Sequence, residues 1–228
     1  MSKSSLSIHS SCLLLLLLLI GFGACKAGNK DEIPAISYQP DIERLQLHYS
    51  GIQDFGSVAA DTLILIDGND NKLFLVVPES GKLRILRAYD ISASRYGYGA
   101  ARGSNQTPGG LHTIAGKYGE GQPAGMCFYD RRPTGEIATI YTDSTDVEED
   151  PVTSRILWLQ GLEERNRTSY WRFIYIHGTH EEGLIGTPQS KGCIRMRNAD
   201  IIELFDMVRI GFYVYIIEPD TINSGAEI

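Results

Sequence analysis

Residues 174–198 read I-Y-I-H-G-T-H-E-E-G-L-I-G-T-P-Q-S-K-G-C-I-R-M-R-N. A hydrophobic, strand-like run ends at His177, and 16 residues later Gly192-Cys193 sits on a glycine-punctuated loop. That loop is long enough to bring the thiol back to the strand end, so the stretch reads as a thiol–imidazole site. A cysteine becomes a useful nucleophile as its thiolate. With a pKa near 8.5 only about 3% is thiolate at pH 7, and a pKa of roughly 6 raises the share to about 90%. Nearby Lys191 and Arg195, the histidine, and backbone N–H groups at a loop-to-helix junction are expected to push that way. The carbonyl of Gly178 or Thr179 would hold the imidazole tautomer, and N–H groups around Gly192-Cys193 would form an oxyanion hole. Taken singly, each residue has a plainer reading. A strand-end histidine is more often structural, a lone cysteine more often buried, Ser190 a turn residue and Arg195 a surface charge. His112 and His180 read as surface or supporting residues. A metal site from His177, His180 and Cys193 lacks an evident further ligand.

Upstream, the pattern is β. Residues 63–67 lead through Gly68-Asn69-Asp70-Asn71 into 73–77, and Pro78-Glu79-Ser80-Gly81 turns into 83–89. Short β-rich runs separated by turn residues predict a meander in a mainly β domain. Thr107-Pro108-Gly109-Gly110 predicts a tight turn into a further strand. Residues 126–129, 136–141, 154–159 and 170–177 are predicted strands. In the last, Trp171, Phe173, Tyr175 and His177 would share one face at period two. Residues 142–151 carry five acids and read as an exposed loop without calcium-loop spacing. Downstream, Ile201, Leu204, Phe205 and Val208 at i, i+3, i+4, i+7 predict an amphipathic helix, with Asn198 or Asp200 as N-cap and Gly211 closing it. Residues 212–217 return as a final strand.

At the other end, residues 1–24 read as a processing segment: Lys3, then the apolar run 13–20, too short to span a bilayer, which takes about 20 residues. Gly21-Phe22-Gly23-Ala24-Cys25 resembles a bacterial lipobox, with Phe22 where Leu is usual, so Cys25 is the expected lipidation site. A plain secretory cut near Gly23 or Ala24 is the competing reading. Removal of Lys3 with the leader would take the net charge from −7 to −8. An acidic chain without a basic stripe is a poor nucleic-acid binder. Residues 25–60 read as a polar, irregular tether. The remaining length suits one domain. Of four cysteines, Cys127 and Cys193 would remain, and in an oxidising envelope they are candidates for a disulfide.

Together, H-G-T at 177–179, S-K-G-C-I-R-M at 190–196, the following N-A-D and the amphipathic helix resemble the L,D-transpeptidase (YkuD-type) catalytic domain. The resemblance runs from about residue 61 to 217. It implies a mainly β, YkuD-like sandwich or barrel with one C-terminal amphipathic helix before the last strand. The chain would divide into a leader (1–24), a tether (25–60), a catalytic domain (61–218) and a tail (219–228). By carry-over Cys193 is the nucleophile and His177 the base. Gly178, Thr179, Ser190, Gly192 and Arg195 would orient the histidine or shape the acyl pocket. Lys191 occupies a position often filled by His or a small residue. No cofactor and no metal are implied. The implied substrate is a peptidoglycan stem peptide, cut after its third residue with release of D-Ala. The acyl group would pass to a stem amine, a protein lysine or water. The protein would be lipid-anchored in the cell envelope. A sortase pairs similar residues, but with His and Cys much farther apart. The reading from another class is a non-catalytic, peptidoglycan-binding lipoprotein with a Cys127–Cys193 disulfide.

Overall fold

The computed structural model describes residues 41–53 and 62–220. The expected leader, Cys25, most of the tether and the end of the tail lie outside the described residues. The first described element, α1 (Ile42–Gln53), is a helix where an irregular approach was expected. Its Leu45 and Tyr49 are buried against Leu63, Leu65, Phe74, Val76, Leu111 and Ile217. Arg44 anchors it, donating from Nη1 to the buried Asp67 at 2.9 Å. In its sequence Ile42, Leu45, Tyr49 and Ile52 fall at i, i+3, i+7 and i+10, a helical spacing at odds with the irregular approach expected.

The meander forms as expected: β1 (Leu63–Asp67), β2 (Lys72–Glu79) and β3 (Lys82–Asp90) pair antiparallel in sequence order. Asn71 (φ 49°), and Ser80 with Gly81 (φ 52° and 79°), supply the left-handed turn residues that tight hairpins need. Next come β4 (Gly110–Tyr118), β5 (Met126–Tyr129), β6 (Arg132–Ile137) and β7 (Val152–Gly161). The sixth strand lies earlier than the expected 136–141. It turns back from β5 through Asp130 and Arg131, both in the left-handed region.

The predicted strand over 170–177 is cut to β8 (Tyr175–Gly178). Turn bonds occupy the residues before it: Arg172 N–H donates to the Thr168 carbonyl, Phe173 to Tyr170 and Ile174 to Ser169. Phe173 takes φ 55° and is 48% exposed, and Trp171 is 68% exposed, so the four-residue face does not form. A short strand β9 (Ile194–Met196) follows, then α2 (Asn198–Met207) and β10 (Tyr213–Ile217). Arg197 occupies the N-cap position of α2 without a side-chain cap, because the Asn198 side chain is engaged elsewhere. Gly211 (φ 89°) does not close the helix but turns the chain into β10. Lys117 instead donates to the Phe205 and Val208 carbonyls (2.6 and 2.5 Å), placing a cation where the helix dipole is negative.

The sheet order is β3-β2-β1-β10-β4-β7, with β10 parallel to β1. β7 carries β4 and β5 along one edge and β8 on the other, and β8 pairs parallel with β9. Past β3 the chain then reaches β9: Ser92 and Arg195 exchange both backbone bonds at 2.9 Å. The mixed sheet thus curls until the continuation of its first edge meets its last strand. Inside lie Ile64, Ile66, Leu157, Ile176, Ile194 and Val214, closed by Ile201, Leu204 and Phe205 of α2.

Candidate active site

Strand alternation places the chemistry. On β8 and β9, Ile176, Ile194 and Met196 enter the main core, so Tyr175, His177, Cys193 and Arg195 project to the other face. There Tyr175 and Cys193 join Ile156 and Trp158 in a separate aromatic cluster. Parallel register sets His177 beside Arg195, which puts Cys193 diagonal to His177 across neighbouring strands. The pairing of β8 with β9, which no local spacing announces, thus sets the two on one face of neighbouring strands.

His177 is buried, and its Nδ1–H donates to the Gly178 carbonyl at 2.8 Å, which leaves Nε2 as the basic nitrogen. Burial lowers its pKa, against the raising effects of Asp150 and the Gly178 carbonyl. Gly178 has no room for a side chain. A β-carbon would stand 2.7 Å from Asn198 Oδ1 and 2.8 Å from the Thr153 carbonyl oxygen. Asn198 also donates to the Thr179 carbonyl (2.8 Å) and to Glu182 (2.7 Å), and accepts from Thr153 (2.7 Å) and Ser154 (2.5 Å). Through these bonds it fixes the end of β8 to β7 and to the start of α2.

Cys193 is partly exposed. Its thiol donates to the Phe173 carbonyl and its sulfur accepts from Tyr175 N–H, both at 3.4 Å. The expectation of a lowered pKa is overturned: desolvation pushes the thiol up to about 11, and Asp150 adds to the rise. The Tyr175 bond, Arg172 and Arg195 oppose it without winning. Arg195 helps little because its charge is engaged. It is the largest fully buried side chain, paired with Glu181 at 2.7 Å and Asp150 at 3.2 Å. The acidic loop is accordingly not all solvent-exposed. Asp150 turns inward, and Val147 N–H donates to Glu181 at 2.7 Å.

Ser190 Oγ accepts from Gly192 N–H (3.2 Å) and donates to the Cys193 carbonyl (2.5 Å), so it shapes the loop that carries the thiol. Gly192 adopts φ 123°, and its carbonyl accepts from Thr107 Oγ1 at 3.1 Å. Thr179 is buried behind the histidine, its Oγ1 accepting from Glu181 N–H. Lys191 is exposed. His112 and His180 prove to be buried. His112 contacts the Gly110 carbonyl and Ser169 Oγ at 2.9 Å each, and His180 packs edge-on to Tyr141. Among the described residues no cluster of His, Cys, Asp or Glu is suited to a metal ion.

The disulfide reading fails. Both cysteines are free, and β7 and β8 lie between the strands that carry them. Strands pair about 4.8 Å apart, so three spacings put the α-carbons well beyond the roughly 7 Å limit for a disulfide.

These features define a curled mixed β-sheet domain with a thiol and an imidazole on neighbouring strand ends. The YkuD family, the L,D-transpeptidase catalytic domain, matches residues 61–216, and the chain belongs to that family. Over 47 residues it is 51% identical to the probable L,D-transpeptidase ErfK/SrfK of Salmonella typhimurium, covering 21% of this chain and 15% of that protein. Over 41 residues it is 54% identical to the putative L,D-transpeptidase YkuD of Bacillus subtilis, covering 18% and 25%. The matched segments thus span a quarter or less of either relative. Among solved structures, an L,D-transpeptidase from Mycobacterium smegmatis is similar at 18% identity and TM-score 0.44, over 69% of this chain and 59% of that one. One from Xylanimonas cellulosilytica is similar at 18% and TM-score 0.42, over 75% and 69%.

Proposed function

We propose that the protein is a peptidoglycan L,D-transpeptidase with Cys193 as nucleophile and His177 as its base. The observation that carries the reading is the shared face of β8 and β9, where a thiol lies diagonal to an imidazole whose Nδ1–H is held by the Gly178 carbonyl. With the thiol held up near 11 and the imidazole held down, the resting pair is neutral. His177 Nε2 takes the thiol proton as sulfur attacks the carbonyl carbon of the third stem residue. The Cys193 N–H is the donor the oxyanion would meet, since the Gly192 N–H is engaged by Ser190. The C–N bond then breaks, D-Ala leaves with the proton from the imidazolium, and a thioester remains. A stem amine or protein lysine resolves it by transfer, and water resolves it as a carboxypeptidase.

Incubation with a defined tetrapeptide stem, read by intact-mass spectrometry and D-Ala release, tests this. Wild type should form an acyl adduct on Cys193. The Cys193→Ala variant should form none while staying folded, and Cys127→Ala should keep most activity. A carbapenem, an activated acyl donor, should also acylate Cys193, about 10²- to 10⁴-fold more slowly in His177→Ala. An adduct on Cys127, or no dependence on His177, would rule the pairing out. The lipobox-like stretch before Cys25 further supports a lipid anchor in the cell envelope; equal solubility of wild type and Cys25→Ala on fractionation would refute it.

A further inference from the structure

The chain is acidic overall, at −7, yet the small cavity that contains the Cys193 thiol is not. About 240 Å³ in volume, it is lined by Arg102, Asn105, Trp171, Arg172 and Lys191 besides Cys193. Three of its residues are cations, and no acidic residue lines it. The neighbouring cavity over Arg195 has a different character. Asp146, Glu148, Asp150 and Glu181 oppose its basic groups, and Lys191 borders both spaces. Arg172 is committed to structure through the Gly99 and Gln106 carbonyls, at 3.1 and 2.6 Å. Arg102 and Lys191 are exposed at the rim, and among the described residues neither is seen to pair with another side chain. Pockets that hold whole small ligands run to about 300–1,000 Å³, so this one suits a single small residue.

We propose that this cationic cavity beside Cys193 is a carboxylate subsite that seats the free α-carboxylate of the departing terminal residue. The inference rests on the reading of Cys193 as nucleophile and adds where the leaving group lies. In the step itself, sulfur bonds to the carbonyl carbon, the C–N bond breaks, and the thiol proton travels through His177 to the departing amine. The carboxylate takes no part in the bond changes and serves only to hold the leaving residue. Arg102 and Lys191 would engage it directly, and Arg172 would contribute field while bracing the loop at 99–106. The subsite makes the protein select stems that end one residue after the scissile bond. Amidating that terminus removes the charge, and extending it moves the charge out of the cavity.

Four synthetic stems test this with the full chain. One is a tetrapeptide with a free C-terminus, one its C-terminal amide, one a pentapeptide, and one a tetrapeptide whose upstream carboxylates alone are amidated. Charge-assisted hydrogen bonds support an expected drop in kcat/KM of about 10- to 100-fold for the C-terminal amide, mostly in KM. The upstream-amidated stem should react like the parent. In Lys191→Ala and Arg102→Ala the ratio of carboxylate to amide donor should fall towards one, and Lys191→Arg should retain it. Equal use of amide and carboxylate by wild type would overturn the subsite while leaving Cys193 as nucleophile. So would loss caused only by upstream amidation, which would assign the cations to another part of the stem. Failure of every donor to acylate Cys193 would sink the nucleophile and the subsite together.

Discussion

At Cys193, a partly exposed thiol, desolvation competes with two guanidinium groups for the state of the sulfur, and desolvation is the larger effect. Arg195 is neutralised by Glu181 and Asp150, and Asp150 itself disfavours negative charge on sulfur. A thiol at about 11 is only about one part in 10⁴ thiolate at pH 7. Direct alkylation of Cys193 by iodoacetamide should therefore be slow at neutral pH and climb steeply with pH towards 11. Peptide mapping separates this adduct from one on Cys127. A rate at pH 7 within tenfold of that at pH 11 would mean a preformed thiolate–imidazolium pair instead. Substrate acylation should behave differently, because it needs only neutral His177. With that pKa lowered, its acid limb should lie below the ordinary histidine value of about 6.5.

The elements around the site explain both what could be read beforehand and what could not. The three-strand meander was legible because Asn71, Ser80 and Gly81 mark the turns between β-rich runs. Helix α2 was legible because Ile201, Leu204, Phe205 and Val208 keep a clear period. Helix α1 was not, although Ile42, Leu45, Tyr49 and Ile52 keep a helical spacing, because they lie within a polar stretch. Leu45 and Tyr49 supply its buried apolar contacts, and Arg44 to Asp67 and Gln46 to Leu83 N–H are among its polar ones. Leu45→Ala should accordingly cost about 2–5 kcal/mol, the range for a buried leucine whose site collapses incompletely. Urea denaturation would show it as a lower midpoint, and an unchanged midpoint would mean that α1 is not integral to the fold. At the site, His177 and Cys193 were visible as reactive types with flanking glycines. Their supports were not. Glu181 and Asp150 look like solvated surface residues in sequence and Asn198 like a helix cap; the turn of the 142–151 loop and the β8–β9 pairing bring them to the site instead. The missing half of the strand at 170–177 has a similar cause. Alternation continued through Trp171 and Phe173, but the turn bonds that Arg172, Phe173 and Ile174 donate to the Thr168, Tyr170 and Ser169 carbonyls override it.

Over the whole molecule, a ring of strands closed by Ser92 and Arg195 carries two buried histidines, His112 and His177, that tie its stability to pH. His112, on β4 between β10 and β7, has its pKa lowered by burial to about 4, and His177 shifts in the same direction. In the unfolded chain both should titrate near 6.5. Between those values the unfolded state binds protons that the folded state does not, so stability must rise with pH across the window. The contribution is present in full above about 6.5 and is lost as pH falls through about 4. For His112 the difference amounts to about 3 kcal/mol. A counter-trend comes from net charge: acidification towards the isoelectric point near 5.2 relieves the repulsion of an acidic chain. The comparison that isolates the histidine is therefore wild type against His112→Gln, with urea midpoints taken at pH 7 and 4.5. The variant keeps a group able to donate to the Gly110 carbonyl but has nothing to protonate. It should start less stable at pH 7 and lose less on acidification, so that the two proteins converge towards pH 4.5. Parallel losses in both would show that His112 is not held neutral in the folded protein.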